Sequence, residues 1–281
     1  GNAMDAGEAV VTDPQGNVYV TGNSVGSGTG RDWATAKYGS GGNQLWLARY
    51  DGPFHGRDDI AAITVDALGN IYVSGDSTGL AGFYEMATVK YDNAGNVMWV
   101  ARYHNAATGG AWARAIAVDA TGYVYVTGCA FNGIDMDTVT VKYDRDGTEL
   151  WVATYHGPAS GGTEQGEAIA LDPSGNVYVT GYSAGSVTGD DIVIVKYDND
   201  GTELWAARVN YANNLDSPSA LAVDPSGNVY VAGLTLGGGV GYDYATVKYD
   251  TNGVLLWAAR YDGPLGDDFA QALAVDPAGN V

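Results

Sequence analysis

The sequence predicts an all-β chain of the β-propeller class, and three observations carry that expectation. The segment DPSGNVYVTG at 172–181 recurs along the chain, its leading Asp falling at Asp13, Asp66, Asp119, Asp172, Asp224 and Asp276, at spacings of 53, 53, 53, 52 and 52. Two further markers keep step with it: Lys37, Lys90, Lys142, Lys196 and Lys248, each followed by a Tyr, and Trp46, Trp99, Trp151, Trp205 and Trp257. Finally, no stretch holds a 3.6-residue apolar period long enough for a helix, while short β-branched and aromatic runs bounded by turn residues recur throughout. Four antiparallel strands in each repeat of this length is how a propeller blade reads. The chain then holds five full blades and the start of a sixth, read as one propeller over 1–281.

The unit at 166–209 shows each element. EAIALD is apolar and ends at a Pro-Ser-Gly turn, giving strand A; NVYVTG gives strand B; DIVIVKYD gives strand C; ELWAARV gives strand D. Asp-Pro-x-Gly-Asn places a side-chain acceptor first and a Gly late, as a tight A–B hairpin requires. DRDG (144–147) and DNDG (198–201) serve the C–D turn, and GSGG starting at Gly39 replaces them in the first unit. Strand A carries small residues, as in AIAV at 115–118, which suit a crowded inner position, while strand D carries the Trp that fills a wider outer gap.

Composition removes several function classes. Lys and Arg number 13 against 33 Asp and Glu, a net charge of -20, which argues against a nucleic-acid partner. One Cys, Cys129, excludes an intrachain disulfide framework. No run of 18 apolar residues spans a membrane, and no basic-then-apolar leader opens the sequence. Much of the charge belongs to the repeat: all five Lys, the Arg after Trp (Arg49, Arg102, Arg208, Arg260, with Thr154 in the third unit), the turn Asp, and an acid five residues before each Lys (Asp32, Glu85, Asp137, Asp191, Asp243). These acids are expected to act as turn caps and inter-blade pairs.

The pattern D-P-x-G-N-V-Y-V-T-G, a Gly-rich loop, then D-x-x-x-V-K-Y-D-x-x-G-x-x-L-W-x-A-R-Y-D-G-P resembles the bacterial SBBP (seven-bladed β-propeller) repeat family, itself similar to NHL propellers. The resemblance covers the whole chain. It implies a secreted or cell-surface bacterial repeat protein, and it brings no catalytic residues. Five blades and a partial sixth lead to the expectation of a longer polypeptide, roughly 315 residues for six such units and roughly 368 for seven.

In an up-and-down meander the short A–B and C–D turns share one face and the longer, variable B–C and D–A loops share the other, where binding is expected. Aromatic residues outside the repeat gather in or beside those loops: Trp33, Phe54, Phe83, Tyr84, Trp112, Phe131, Tyr182, Tyr211 and Tyr242. They suit a glycan or a protein partner. Neighbouring acids, Asp58 with Asp59, Asp135 with Asp137, Asp190 with Asp191, and Asp267 with Asp268, form a candidate Ca²⁺ set, although no full EF-hand loop is present. The three His (His55, His104, His156) lack zinc-site spacing. No nucleophile elbow or phosphate loop occurs. The YD-x-x-G-x-x-L-W run is similar to the tryptophan-docking repeat of quinoproteins but lacks its Thr and its spacing. The expected function is a non-enzymatic extracellular scaffold or protein-interaction module without a required cofactor, capable of self-assembly. The alternatives are a carbohydrate-binding propeller, then a polysaccharide-active enzyme.

Overall fold

In the computed structural model the described residues form twenty strands and no α-helix. These residues are 5–26, 28–79, 82–105, 109–159, 161–185, 189–210, 216–236, 241–264 and 266–281. Blade one is β1 (Ala6–Thr12), β2 (Val18–Val25), β3 (Arg31–Tyr38) and β4 (Gln44–Tyr50). Blade two is β5 (Asp58–Val65), β6 (Ile71–Thr78), β7 (Tyr84–Tyr91) and β8 (Val97–Tyr103). Blade three is β9 (Ala111–Val118), β10 (Val124–Phe131), β11 (Met136–Tyr143) and β12 (Glu149–Tyr155). Blade four is β13 (Glu164–Leu171), β14 (Val177–Ala184), β15 (Asp190–Tyr197) and β16 (Glu203–Val209). Blade five is β17 (Asp216–Val223), β18 (Val229–Thr235), β19 (Asp243–Tyr249) and β20 (Leu255–Tyr261).

Each blade is a separate four-stranded meander paired in chain order. The fold is therefore all-β and built of propeller blades, as the repeat predicts. Residues 266–281, expected to begin a sixth blade, form no strand, yet they keep the turn: Gly279 N donates to Asp276 O at 2.9 Å. The chain divides into two compact units, Gly1–Gly133 with Val141–Leu150, and Ile134–Thr140 with Trp151–Val281.

Strands B and C are covered on both sides, so most of their residues are apolar or small, and the Lys and acid of strand C are buried with partners. In β6 and β7 nearly every residue is buried, whereas in each of β4 and β8 all but one are exposed or half-buried. The core of the first unit lies between blades one and two, where Tyr19, Trp33, Tyr50, Ile60, Ile63, Ile71, Val73, Val89 and Tyr91 meet. In the second unit the matching layer joins Tyr178, Ile192, Ile194, Val209, Val229, Val231, Val247 and Tyr249.

The A–B turn is built on one carboxylate. Asp172 Oδ1 accepts Ser174 N and Asn176 N, both at 2.9 Å, while Oδ2 accepts Asn176 Nδ2 at 2.6 Å and Tyr178 Oη at 3.1 Å. The turn Asp are thus caps, as expected. At the C–D turn the same chemistry holds, and hydrogen bonds from Asn96 keep the Asp92 carboxyl below the usual range.

The repeat Lys and Trp have a joint target. Trp46 Nε1 donates to Asn93 O at 3.1 Å, and Lys37 Nζ donates to the same oxygen at 3.4 Å. Lys90 Nζ and Trp99 Nε1 share Arg145 O at 3.2 and 2.8 Å. In the second unit Lys196 Nζ and Trp205 Nε1 share Thr251 O at 2.9 and 3.1 Å. In each case two donors of one blade hold a carbonyl in the C–D turn of the next. The Lys stem runs over the strand-B Tyr, placing Nζ 5.1 Å from the Tyr19 and Tyr72 ring centres and 5.0 Å from that of Tyr178. The Trp ring lies between that Tyr and a Tyr of the next blade: Trp46 is 6.1 Å from Tyr19 and 6.3 Å from Tyr91.

The ring also dictates the residue beneath it. A Cβ on Gly95, whose φ is +86°, would lie 2.8 Å from Trp46 Cδ2, whereas Gly42, at the same turn position of blade one with φ +82°, has nothing within 4 Å. Both Gly→Ala changes carry the left-handed backbone cost of about 1–2 kcal/mol. Gly95→Ala adds an overlap with a ring fixed by its hydrogen bond, a cost of about 1–3 kcal/mol. Urea unfolding is expected to show Gly95→Ala less stable than Gly42→Ala by that increment.

Candidate ligand-binding face

Every A–B strand pair carries a bulge at the same place. In blade two Ile60 faces Gly75 while Ala62 faces Ser74, so Ala61 is the extra residue. The bulge presses a carbonyl against strand B: a Cβ on Gly75 would lie 2.2 Å from Asp59 O. This close approach is why strand B carries Gly after its Tyr-Val run. Bulges redirect side chains. Their extra residues here include Glu8, Arg114 and Glu167, on the first strand of their blades at the end bearing the variable loops.

Three of the four Arg outside the repeat converge there in the first unit. Arg31 Nε lies 3.1 Å from Asp59 Oδ1, and Arg57 Nε meets Asp59 Oδ2. Arg31 Nη2 lies 3.9 Å from Glu8. Asp59 pairs across the sheet with Asp76, whose Oδ1 accepts Ala113 N at 2.8 Å and whose Oδ2 lies 3.8 Å from Arg114. Burial pushes the Asp76 carboxyl up to about 7, against the bond from Ala113 N and the charge of Arg114, with Asp59 adding to the rise. In blade one Asn23 has the same role: its Oδ1 accepts Ile60 N at 3.0 Å.

The aromatic residues named from the sequence divide into several groups. Phe54 and Phe83 are exposed. Tyr84 and Trp112 face each other at 6.3 Å, beside the Arg57 charge. Phe131 and Tyr182 are half-buried. In the second unit Tyr242 packs on Phe269 at 6.1 Å. Tyr211 lies outside the described residues. Trp33 is a correction: it is fully buried and packs on Tyr50 at 4.7 Å, because its place in β3 turns it into the layer between blades one and two.

The acids are also rearranged. Consecutive strand residues face opposite sides, so Asp58 and Asp59, like Asp190 and Asp191, diverge instead of facing one ion; the other two pairs are not consecutive strand residues, and Asp137, Asp267 and Asp268 have separate partners. Asp58 accepts Gly52 N at 2.6 Å, while Asp59 turns to Arg31 and Arg57. Asp190 is half-buried, and Asp191 is buried against Arg208 at 2.8 Å. Asp137 is buried and lies 2.7 Å from His156 Nδ1, and Asp135 is half-buried. Asp267 accepts Tyr242 N at 2.9 Å, and Asp268 accepts Gly263 N at 2.6 Å.

The acids five residues before Lys pair within their own blade rather than between blades. Arg102 joins Glu85 at 2.6 Å, Ser77 Oγ at 2.9 Å and Thr78 O at 3.0 Å; Arg208 joins Asp191 and Ser183 in the same way. Where Thr154 replaces the Arg, His156 meets Asp137. Reading the sequence for aromatics missed Arg31, Arg57 and Arg114. Subtracting the repeat cations leaves four Arg, and three of them are these.

An Asp whose folded pKa exceeds its unfolded one binds more protons folded than unfolded across that interval, so stability falls as pH rises through it. For Asp76 the interval runs from about 4 to about 7. Asp76→Asn, which keeps the acceptor for Ala113 N as Asn23 does for Ile60 N, is expected to flatten thermal-unfolding midpoints between pH 5 and 8 and to raise the midpoint at pH 8.

Comparison with known proteins follows from this geometry. An uncharacterized WD repeat-containing protein of Acanthamoeba polyphaga mimivirus is 26% identical over 159 residues, 48% of this chain, and the chain spans only 11% of that relative's length. A Dyadobacter fermentans protein of unknown function superposes with a TM-score of 0.59 at 13% identity, covering 89% of this chain and 80% of its own. The polysaccharide lyase Uly1 does so at 0.57 and 10% identity, covering 92% and 73%. These likenesses establish the fold. The SBBP β-propeller repeat model matches residues 153–187 and 204–239, which carry the A–B turns at Asp172 and Asp224 and the strand-B residues Gly181 and Gly233, so the chain contains SBBP β-propeller repeats.

Proposed function

We infer that the chain is a non-enzymatic recognition module, a rigid blade scaffold that presents a binding surface at its variable-loop end. One observation carries the reading: the repeat's own Asp, Lys, Trp and Arg are consumed by turns, blade junctions and strand clamps, whereas the non-repeat polar side chains Glu8, Arg31, Arg57, Asp59, Asp76 and Arg114 converge at that end. A fixed charge pattern of both signs beside the Tyr84–Trp112 pair suits a polar partner with an apolar face. A protein surface fits this best, in keeping with an extracellular setting. An oligosaccharide is the second reading, favoured by the aromatic pair, and some proteins sharing the fold act on polysaccharides.

Among the described residues Asp59 is engaged by two Arg and Asp76 by a backbone amide, which supports the recognition reading. The test is a paired screen of the chain against a surface-protein array and a glycan array, with Arg57→Ala/Trp112→Ala beside the wild type. Hits are expected to weaken at least tenfold in the variant with its unfolding midpoint unchanged. Hits on glycans alone would favour the second reading, and chain shortening of a bound polysaccharide would sink the non-enzymatic one.

A further inference from the structure

We propose that Asp32, Asp51 and Asp58 hold a calcium ion at the junction of blades one and two. Asp32 opens strand C of blade one, Asp51 follows its strand D, and Asp58 opens strand A of blade two. One carboxylate oxygen from each lies within 4.8 Å of the others, and this is the one such group among the described residues. Two oxygens on opposite sides of a calcium ion, at about 2.4 Å each, are about 4.8 Å apart.

Two other blades show what this junction lacks. At the position of Asp51, blade three has His156, whose Nδ1 lies 2.7 Å from Asp137 Oδ1, and blade four has Asn210, whose Nδ2 donates to Asp191 Oδ1 at 2.6 Å. Each supplies a polar hydrogen to the buried acid of its blade. An ionised Asp has none to give. At the Asp51 junction the outer oxygens are served: Asp32 Oδ2 takes Thr29 Oγ1 at 2.8 Å and Arg49 Nη2 at 3.4 Å, and Asp51 Oδ2 takes His55 Nδ1 at 2.6 Å. Asp58 is fixed by Gly52 N at 2.6 Å and Thr78 N at 3.2 Å. Asp32 Oδ1 and Asp51 Oδ1 remain buried with no hydrogen-bond partner, and Asp32 is only 2% exposed.

A buried, unpaired carboxylate oxygen is costly, and two of them beside a third acid call for a positive partner. All three ligands are hard carboxylate oxygens contributed by a loop and two strand starts, a donor set that suits Ca²⁺. An ion there would tie three chain segments from two blades.

The test titrates the full chain, stripped with EDTA, with CaCl₂ by calorimetry and thermal unfolding, beside Asp51→Asn. The Asn supplies the amide donor that Asn210 provides in blade four. The wild type is expected to bind Ca²⁺ and to gain about 5–10 °C in midpoint at 100-fold excess over Kd, with a much smaller gain in MgCl₂. Asp51→Asn is expected to lose that gain while matching or exceeding the metal-free wild-type midpoint. A wild type indifferent to Ca²⁺, or a variant that binds as tightly, overturns the proposal. Asp32→Asn, tested the same way, keeps the question open to refutation if the first variant fails to fold.

Discussion

A single backbone oxygen per blade junction organises much of this molecule. Asn93 O, Arg145 O and Thr251 O each receive a Lys ammonium and a Trp indole from the preceding blade. The ammonium is nearly buried, so its charge must be met by that carbonyl and by the Tyr ring beneath the stem. The carbonyl can be in place only if the C–D turn is tight, which requires the Asp cap and the Gly under the indole. Turn, cation, ring and glycine are thus one arrangement, and their common step along the sequence is the imprint of that dependence.

This explains what the sequence revealed. Strands, turns and blade limits were legible because each rests on residues that recur, such as Asp172, Gly175 and Tyr178. The strand-B Gly is the sequence trace of a bulge that no local pattern announces: Gly75 is required by Asp59 O, a partner 16 positions earlier. Trp33 could not be placed from sequence because its position in β3 says nothing of which side is covered. The paired acids were misjudged for a related reason. Asp58 and Asp59 look like one feature in a string and belong to two environments in a strand.

The face built from Arg31, Arg57, Arg114, Asp59 and Asp76 was hidden because these residues come from four strands and a loop, with no spacing to betray them. They become visible only after the repeat is removed. The same subtraction bears on the charge. Much of the -20 is bound up in caps and clamps, so the net figure describes the scaffold more than its recognition surface. Asn23 and Asp76 show how the scaffold tolerates variation: the same acceptor role is filled by an amide in one blade and an acid in the next, with the acid's proton affinity altered by burial.

The acceptor of the Lys–Trp pair is a main-chain oxygen, and the side chains that carry it are Asn, Arg and Thr. Lys37 and Lys196 also reach side-chain oxygens there, Asn93 Oδ1 and Thr251 Oγ1, but the carbonyl that Lys and Trp share is offered by any residue at that turn position. Duplication or loss of a whole unit by recombination would recreate the same joint at the new boundary without any compensating change. Gene copies of such a protein can therefore lengthen, shorten or exchange units while each loop face evolves on its own.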